Sequence, residues 1–351
     1  MVGGQGNVGS QITEYLINGL DLEVDVTSRS GELDTKVLIQ LPKKPKVIRL
    51  DLNAIMDYQF IDKYTAVIMC VDNENEEFFV ECIRRNLLYI DITADMKIIT
   101  RLRNTYQRTQ NHSTVIFGAG LSPGFTNLIA DQALRSLDTA ESCHISMMFG
   151  TGDKHGRSAV EWLVNQLKEE YTVRSQGKQT TINPFMQKRV IKLLSTNESH
   201  SVYNFNFCDQ NIVDELHNLK TVSTSVAYDS KLMTSFMHKL AQLGLFKMLR
   251  IKSIYRLFVN TIKGINYGSD KIIIQVEASG QKSSRDVTKR IEVIGTDESQ
   301  ITARITSELL LRAIKFNEPG FHYMSELFDL EDFKGILNDT FKYYDNTEVM
   351  G

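Results

Sequence analysis

Apolar positions along the chain keep one rhythm up to about residue 125 and another beyond it. In the first stretch, short apolar runs at 22–26, 47–50, 66–71, 88–92 and 114–117 read as buried strands. Between them, 11–16, 53–63, 76–86 and 96–107 carry apolar residues at helical spacing. Strands and helices alternating in this way predict a doubly wound parallel sheet, an α/β architecture. From residue 128 the texture changes. Helices are predicted at 128–137 and 158–168, and strands at 143–150, 202–207, 223–228, 271–277 and 290–294. A hairpin is predicted over 171–184 around Gly177, and a polar loop over 279–284. This is the pattern of a largely antiparallel sheet covered by helices on one face. A helix over 301–315, with Asp297 as N-cap, and a shorter one over 331–341 close the chain.

The first ten residues add chemistry to that scaffold. Gly4, Gly6 and Gly9 form G-x-G-x-x-G, followed at once by a helical run. At those positions glycine allows a tight turn, close approach of backbone to a diphosphate, and close packing of helix on strand. The amides of Gly6, Asn7 and Val8 and the positive end of the helix would then hold the diphosphate. Only Met1, Val2 and Gly3 precede Gly4, fewer than the about five residues usual for a first strand. Either the strand is stunted or the chain starts upstream.

About twenty residues past the glycines, an acidic residue usually grips the ribose of NAD. Ser28 and Arg29 stand there instead, a hydroxyl and a guanidinium suited to the 2′-phosphate of NADP. The bland alternative is a polar turn with a solvated arginine. Ligands of such sheets bind beyond the carboxyl ends of the strands. Asn73, Asp91, Thr93 and the loop 118–127, with Gly120 and Ser122, are therefore expected to border one crevice.

Composition narrows the reading further. At 351 residues and 42% apolar content the chain can bury more than one core. A net charge of −3 offers no general field for nucleic acid. Cys70, Cys82, Cys143 and Cys208 lack the spacing of a disulfide framework or zinc site, and no metal-binding motif occurs. The absence of a signal-like or membrane-spanning apolar run leads to the expectation of a cytoplasmic protein, not integral to a membrane.

The segment Gly120-Leu121-Ser122-Pro123-Gly124, taken with the glycine turn, resembles the saccharopine dehydrogenase-like family, which includes saccharopine reductase and carboxynorspermidine dehydrogenase. Those enzymes carry G-x-D-P-G after the sixth strand; here Ser122 replaces the aspartate, which bears on the substrate more than the fold. The resemblance implies a Rossmann-type domain over 1–125 and an α+β substrate and dimerisation domain over 126–295. Helices over 296–351 would return to the first domain. It also implies a homodimer and a small amino-acid-derived imine or secondary amine as substrate, while Ser28 and Arg29 make NADP or NADPH the expected cofactor.

Hydride transfer then needs a group to manage one proton. Asp91, at a strand end, is the first candidate, against the alternative of a turn-capping aspartate. His155 lies in a glycine-flanked polar loop where Lys154 and Arg157 could hold a substrate carboxylate, unless the loop is idle surface. Residues 243–263 interleave basic and apolar side chains. They read as a domain helix with a solvated basic face, the alternative being a surface that lies on an acidic membrane. Two other classes stay open: a non-enzymatic NADP-binding regulator or scaffold, and a peripheral membrane partner.

Overall fold

Short, mostly apolar strands need cover on both faces, and in the first part of the chain helices supply it. The computed structural model describes residues 1–33, 36–54, 57–72, 75–152, 156–264, 268–316 and 318–349. It divides into two units: Met1–Phe125 with Ser299–Phe328, and Thr126–Glu298 with Asp329–Gly351.

In the first unit all strand pairing is parallel. Val26–Ser28 pairs with Val47–Arg49, while Ala66–Met69, Leu88–Asp91, Thr114–Phe117 and Gly320–Tyr323 pair in that order. Met1 and Val2 lie between the two groups. The Thr27 amide donates to Met1 O at 2.9 Å, the Val2 amide to Ile68 O at 2.9 Å, and the Cys70 amide to Val2 O at 2.9 Å. Counting Val2 as the first strand, the order is the 3-2-1-4-5-6 of a doubly wound dinucleotide fold, with Gly320–Tyr323 added outside the sixth. Val2 is the bridging residue of this first strand, paired with Met69. Ile17, Val26, Leu38 and Leu41 pack one end of this core, and every residue of Leu88–Asp91 and Thr114–Phe117 is buried.

Several sequence expectations shift here. The strand expected at 22–26 runs Val26–Ser28, because Val24 and Leu33 pack beside the cluster rather than in the ladder. Where a helix was expected over 53–63, the described residues form a 3-10 turn, Gln59–Lys63. The Glu298–Lys315 helix packs within the first unit through Ile301, Ile305 and Leu309, and the Thr306 hydroxyl donates to Ala119 O at 2.8 Å. Asp297 ahead of it is left-handed (φ 59°), not the extended conformation of an N-cap.

The second unit is built on one seven-stranded sheet. Its order is Lys342–Val349, Arg285–Thr296, Lys271–Lys282, Thr139–Phe149, Thr221–Tyr228, Ser199–Asn204, Lys188–Lys192. Pairing is antiparallel except between Thr221–Tyr228 and Thr139–Phe149. The expected polar loop at 279–284 is instead the tip of a long ribbon, with Lys282 opposite Arg285 and a turn at Ser283 and Ser284, both at positive φ. Tyr171–Ser175 and Lys178–Ile182 form the expected hairpin, turning at Gln176 and Gly177 (φ 51° and 76°) as a two-residue loop requires. Trp162, Phe149, Phe185, Phe205 and Phe207 form an aromatic cluster beneath this sheet.

The expected grouping of 296–351 with the first domain is corrected at its end. Residues 329–351 belong to the second unit, because Lys342–Val349 adds an edge strand to Arg285–Thr296.

Candidate functional site

The glycine turn is held by its own backbone. Gly3 is left-handed (φ 75°), and the Gly6 amide donates to Gly3 O at 2.9 Å. A Cβ on Gly9 would lie 2.3 Å from Gly3 O, and one on Gly4 2.8 Å from Val26 Cγ1. These two glycines are buried for packing. Gly6 is exposed and extended, and it is the N-cap of the Asn7–Glu14 helix, which no side chain caps. Asn7 is exposed and Val8 half-buried in the first turn. A backbone cradle with an uncapped helix start beyond the carboxyl end of a parallel strand fits a diphosphate.

Beside it, Ser28 ends its strand with its hydroxyl 2.9 Å from that of Ser30, and Arg29 is exposed. The Gln5 side chain donates to Glu32 O at 2.8 Å, tying the glycine turn to this loop. Arg49 is a residue that the sequence reading missed. It stands opposite Ser28 in the ladder, exposed, and a Cβ on Gly31 would be 3.4 Å from its own Cβ. The signal was available, since Arg49 ends the third strand as Arg29 follows the second. Neither guanidinium has an ion-pair partner among the described residues.

At the ends of the next two strands lies a carboxyl pair. Asp91 is 3% exposed; the Thr93 amide donates to its Oδ1 at 2.8 Å and the Tyr89 hydroxyl to its Oδ2 at 3.1 Å. Burial pushes Asp91 up to about 7, with the Asp72 carboxylate adding to the rise against the two hydrogen bonds. The Thr93 hydroxyl donates to Asp72 at 2.6 Å, linking the two acids. Asp72 is exposed as a residue, yet its carboxyl is also raised, by desolvation and by Asp95. Sequence reasoning missed Asp72, although it follows a strand end where ligands of this fold gather.

Thr93 was expected to touch substrate. It is buried instead and its hydroxyl is engaged by Asp72, so it positions the acid pair. The loop after Thr114–Phe117 closes on itself: the Gly120 amide donates to Pro123 O at 3.1 Å and the Phe125 amide to Gly120 O at 2.9 Å. The Ser122–Pro123 peptide is cis, and Ser122 is half-buried. A Cβ on Gly120 would come 3.2 Å from Thr302 Cγ2, so this glycine serves packing against the Glu298–Lys315 helix.

Three expected site residues, Asn73, Lys154 and His155, lie outside the described residues. Arg157 is not in a loop. It opens the Arg157–Leu167 helix in the second unit, where its Nε donates to Glu161 at 2.7 Å, one turn on. A groove of about 520 Å³ runs along Met96–Arg108 and Glu76, and none of the expected site residues lines it. Among the described residues no acidic or histidine cluster could hold a metal ion, and no helix is long and apolar enough to cross a membrane.

No protein-family model and no curated protein sequence matches the chain. Among solved structures, the homospermidine synthase of Legionella pneumophila in complex with NAD is similar at a TM-score of 0.66 and 13% identity. The match covers 99% of this chain and 90% of that one. The C. glutamicum DAP dehydrogenase in complex with DAP and an engineered D-amino acid dehydrogenase bound to NADP+ are each similar at a TM-score of 0.47 and 13% identity. Both matches cover 95% of this chain and 97% of the other. The likeness to the first shows the fold: a Rossmann-type parallel-sheet domain joined to a second, α+β domain.

Proposed function

We propose that the protein is an NADP-dependent oxidoreductase acting on a carbon–nitrogen bond, oxidising an amino-acid-derived secondary amine to an imine or reducing the imine. The observation that carries this reading is the exposed Gly6 cradle at an uncapped helix start, with Ser28, Arg29 and Arg49 beside it. The fold shared with an NAD-bound homospermidine synthase supports the dinucleotide class. The G-x-x-P-G segment at 120–124 supports the saccharopine dehydrogenase-like resemblance and the substrate class.

Within this reading the bound dinucleotide supplies hydride chemistry, and the chain's residues do the rest. The first-turn amides would hold the diphosphate, and Arg29 and Arg49 would hold the 2′-phosphate. Asp91 titrates near neutrality, as a proton-handling carboxyl must, and Asp72 is its exposed neighbour. A second reading, an NADP-binding regulator without turnover, draws support from the burial of Asp91 and the pairing of Arg157 with Glu161.

Titration of NADP and NAD against the wild type, Arg29→Ala and Ser28→Asp tests the cofactor assignment. A charge-assisted pair with phosphate contributes about 1.5–3 kcal/mol, so NADP should bind roughly ten- to a hundredfold tighter than NAD. Arg29→Ala should weaken NADP alone, and Ser28→Asp should turn the preference towards NAD. Equal affinity of the wild type for both would remove Ser28 and Arg29 from the site. NADPH consumption in the presence of a keto acid and an amine then separates the enzyme from the regulator.

A further inference from the structure

Residues 231–264 of the second unit contain no aspartate or glutamate, in a chain whose net charge is −3. They fold as the Lys231–Gln242 helix, a 3-10 segment Leu245–Arg250 and the Lys252–Gly264 helix. The inner side of this layer is satisfied by packing. Thr234, Met237, Phe246, Leu249 and Val259 are buried, His238 stacks on Tyr203, and Phe246 meets Phe185 edge-on.

The outer side is not what a solvated helix face should be. On Lys231–Gln242 the outward stripe runs Leu232, Phe236, Lys239, Leu243, at alternating helical spacings. Leu232 is 85% exposed, Leu243 72% and Leu257 68%, with Phe236, Met248 and Ile251 about half exposed. Between them Lys239, Lys247, Arg250, Lys252 and Arg256 are exposed, and none has an ion-pair partner among the described residues. The sequence expectation of a basic face on an ordinary domain helix thus holds for charge and fails for the apolar residues.

We infer that this face docks on an anionic lipid bilayer, lying in the interface with its leucines and phenylalanine inserted and its cations on the headgroups. Large apolar side chains interleaved with unpaired lysine and arginine are the chemistry such an interface recognises. The helices are too short and too charged to span the bilayer. A second copy of the chain fits less well, because a two-fold contact would set the same acid-free, basic surface against itself. This inference is independent of the cofactor assignment.

The test uses the full chain and sedimentation with vesicles of phosphatidylcholine alone or mixed with phosphatidylglycerol. Binding is expected only to the mixed vesicles, and weaker in high salt. The triple variant Lys247→Gln/Arg250→Gln/Lys252→Gln should lower the partition on the order of a hundredfold. Leu232→Ser/Phe236→Ser/Leu257→Ser should lower it at least tenfold per residue. Because these side chains are exposed, its circular dichroism and melting should stay as in the wild type. Equal binding to neutral and anionic vesicles, or no binding to either, overturns the inference. So does a concentration-dependent dimer that both variants abolish while vesicle binding is absent.

Discussion

In the first unit the sequence-contiguous strands are three or four residues long, whereas in the second Lys271–Lys282 and Arg285–Thr296 pair along 12 residues each. The two sheets consequently rest on different interactions. A ladder of that length holds itself by backbone hydrogen bonds and cross-strand pairs, such as Arg290 Nε to Glu277 at 2.6 Å. Strands of three residues cannot. Their order is kept by buried helix faces, Ile12 and Leu16 on one side and Phe78, Phe79 and Ile83 on another, and by the glycine turn. The unit with the glycine turn is therefore the one whose geometry depends on close packing at a few points, and local opening should start there.

The largest effect should come from breaking one of those points. Gly9→Ala places a methyl 2.3 Å from Gly3 O, a backbone atom that moves only with the turn. Overpacking of this kind costs about 1–3 kcal/mol, and the displaced turn should lose roughly a hundredfold in dinucleotide affinity. Gly177→Ala in the second unit is the matching control. Its Cβ would meet nothing within 4 Å, so only the left-handed conformation (φ 76°) is penalised, by about 1 kcal/mol, with dinucleotide binding unchanged. Calorimetric titration of both variants decides whether the two units respond as differently as their sheets suggest.

Next in size is the pH response of the first unit. Burial raises Asp91 from 3.8 to about 7, so in this range the folded state binds the proton more tightly than the unfolded chain does. The contribution is fully present below about pH 4 and is lost as pH rises through 7, on the order of 4 kcal/mol in all. Asp91→Asn keeps an acceptor for the Thr93 amide and removes the charge. It should raise the melting temperature at pH 8 while lowering turnover, an outcome expected where function and stability compete. Equal melting of the variant and the wild type at pH 8 would show that the buried carboxylate carries no such strain.

The smallest effect concerns the edge of the other sheet. Ending the chain after Phe341 removes Lys342–Val349, nearly all of it exposed, with the ion pairs Lys289–Asp345 and Arg290–Glu348. Exposed pairs of this kind contribute about 0–1 kcal/mol each, so the second unit should melt only a few degrees lower, with NADP binding intact. Loss of NADP binding would show that the two units are less separate energetically than their sheets are.

How much of this was legible in the sequence depended on whether an element's pattern matched its surroundings. The parallel strands were readable because both faces of Leu88–Asp91 and Thr114–Phe117 are buried and their residues are mostly apolar. Lys342–Val349 was missed because an exposed edge strand has no buried face to impose alternation. The Lys231–Gln242 helix was missed for the opposite reason, its outward stripe being apolar where the helical pattern expects polarity. The glycine turn was visible as a motif. The Asp72–Thr93–Asp91 linkage was not, since it joins two strand ends through the amide and the hydroxyl of one threonine, which no local spacing reveals. Arg157 looked free in sequence because its partner Glu161 becomes a neighbour only once the helix forms.

The return of Ser299–Phe328 to the first unit has a consequence for how the protein is made. Synthesis runs from the amino end, yet the outermost parallel strand, Gly320–Tyr323, and the Glu298–Lys315 helix come only after most of the second unit. While the ribosome is still translating the second unit, the nascent first unit carries an open sheet edge at Thr114–Phe117 and a bare apolar face where Ile301, Ile305 and Leu309 will pack. Its final strand can be laid down only after the middle of the chain has emerged. The half that begins first is thus the half that finishes late.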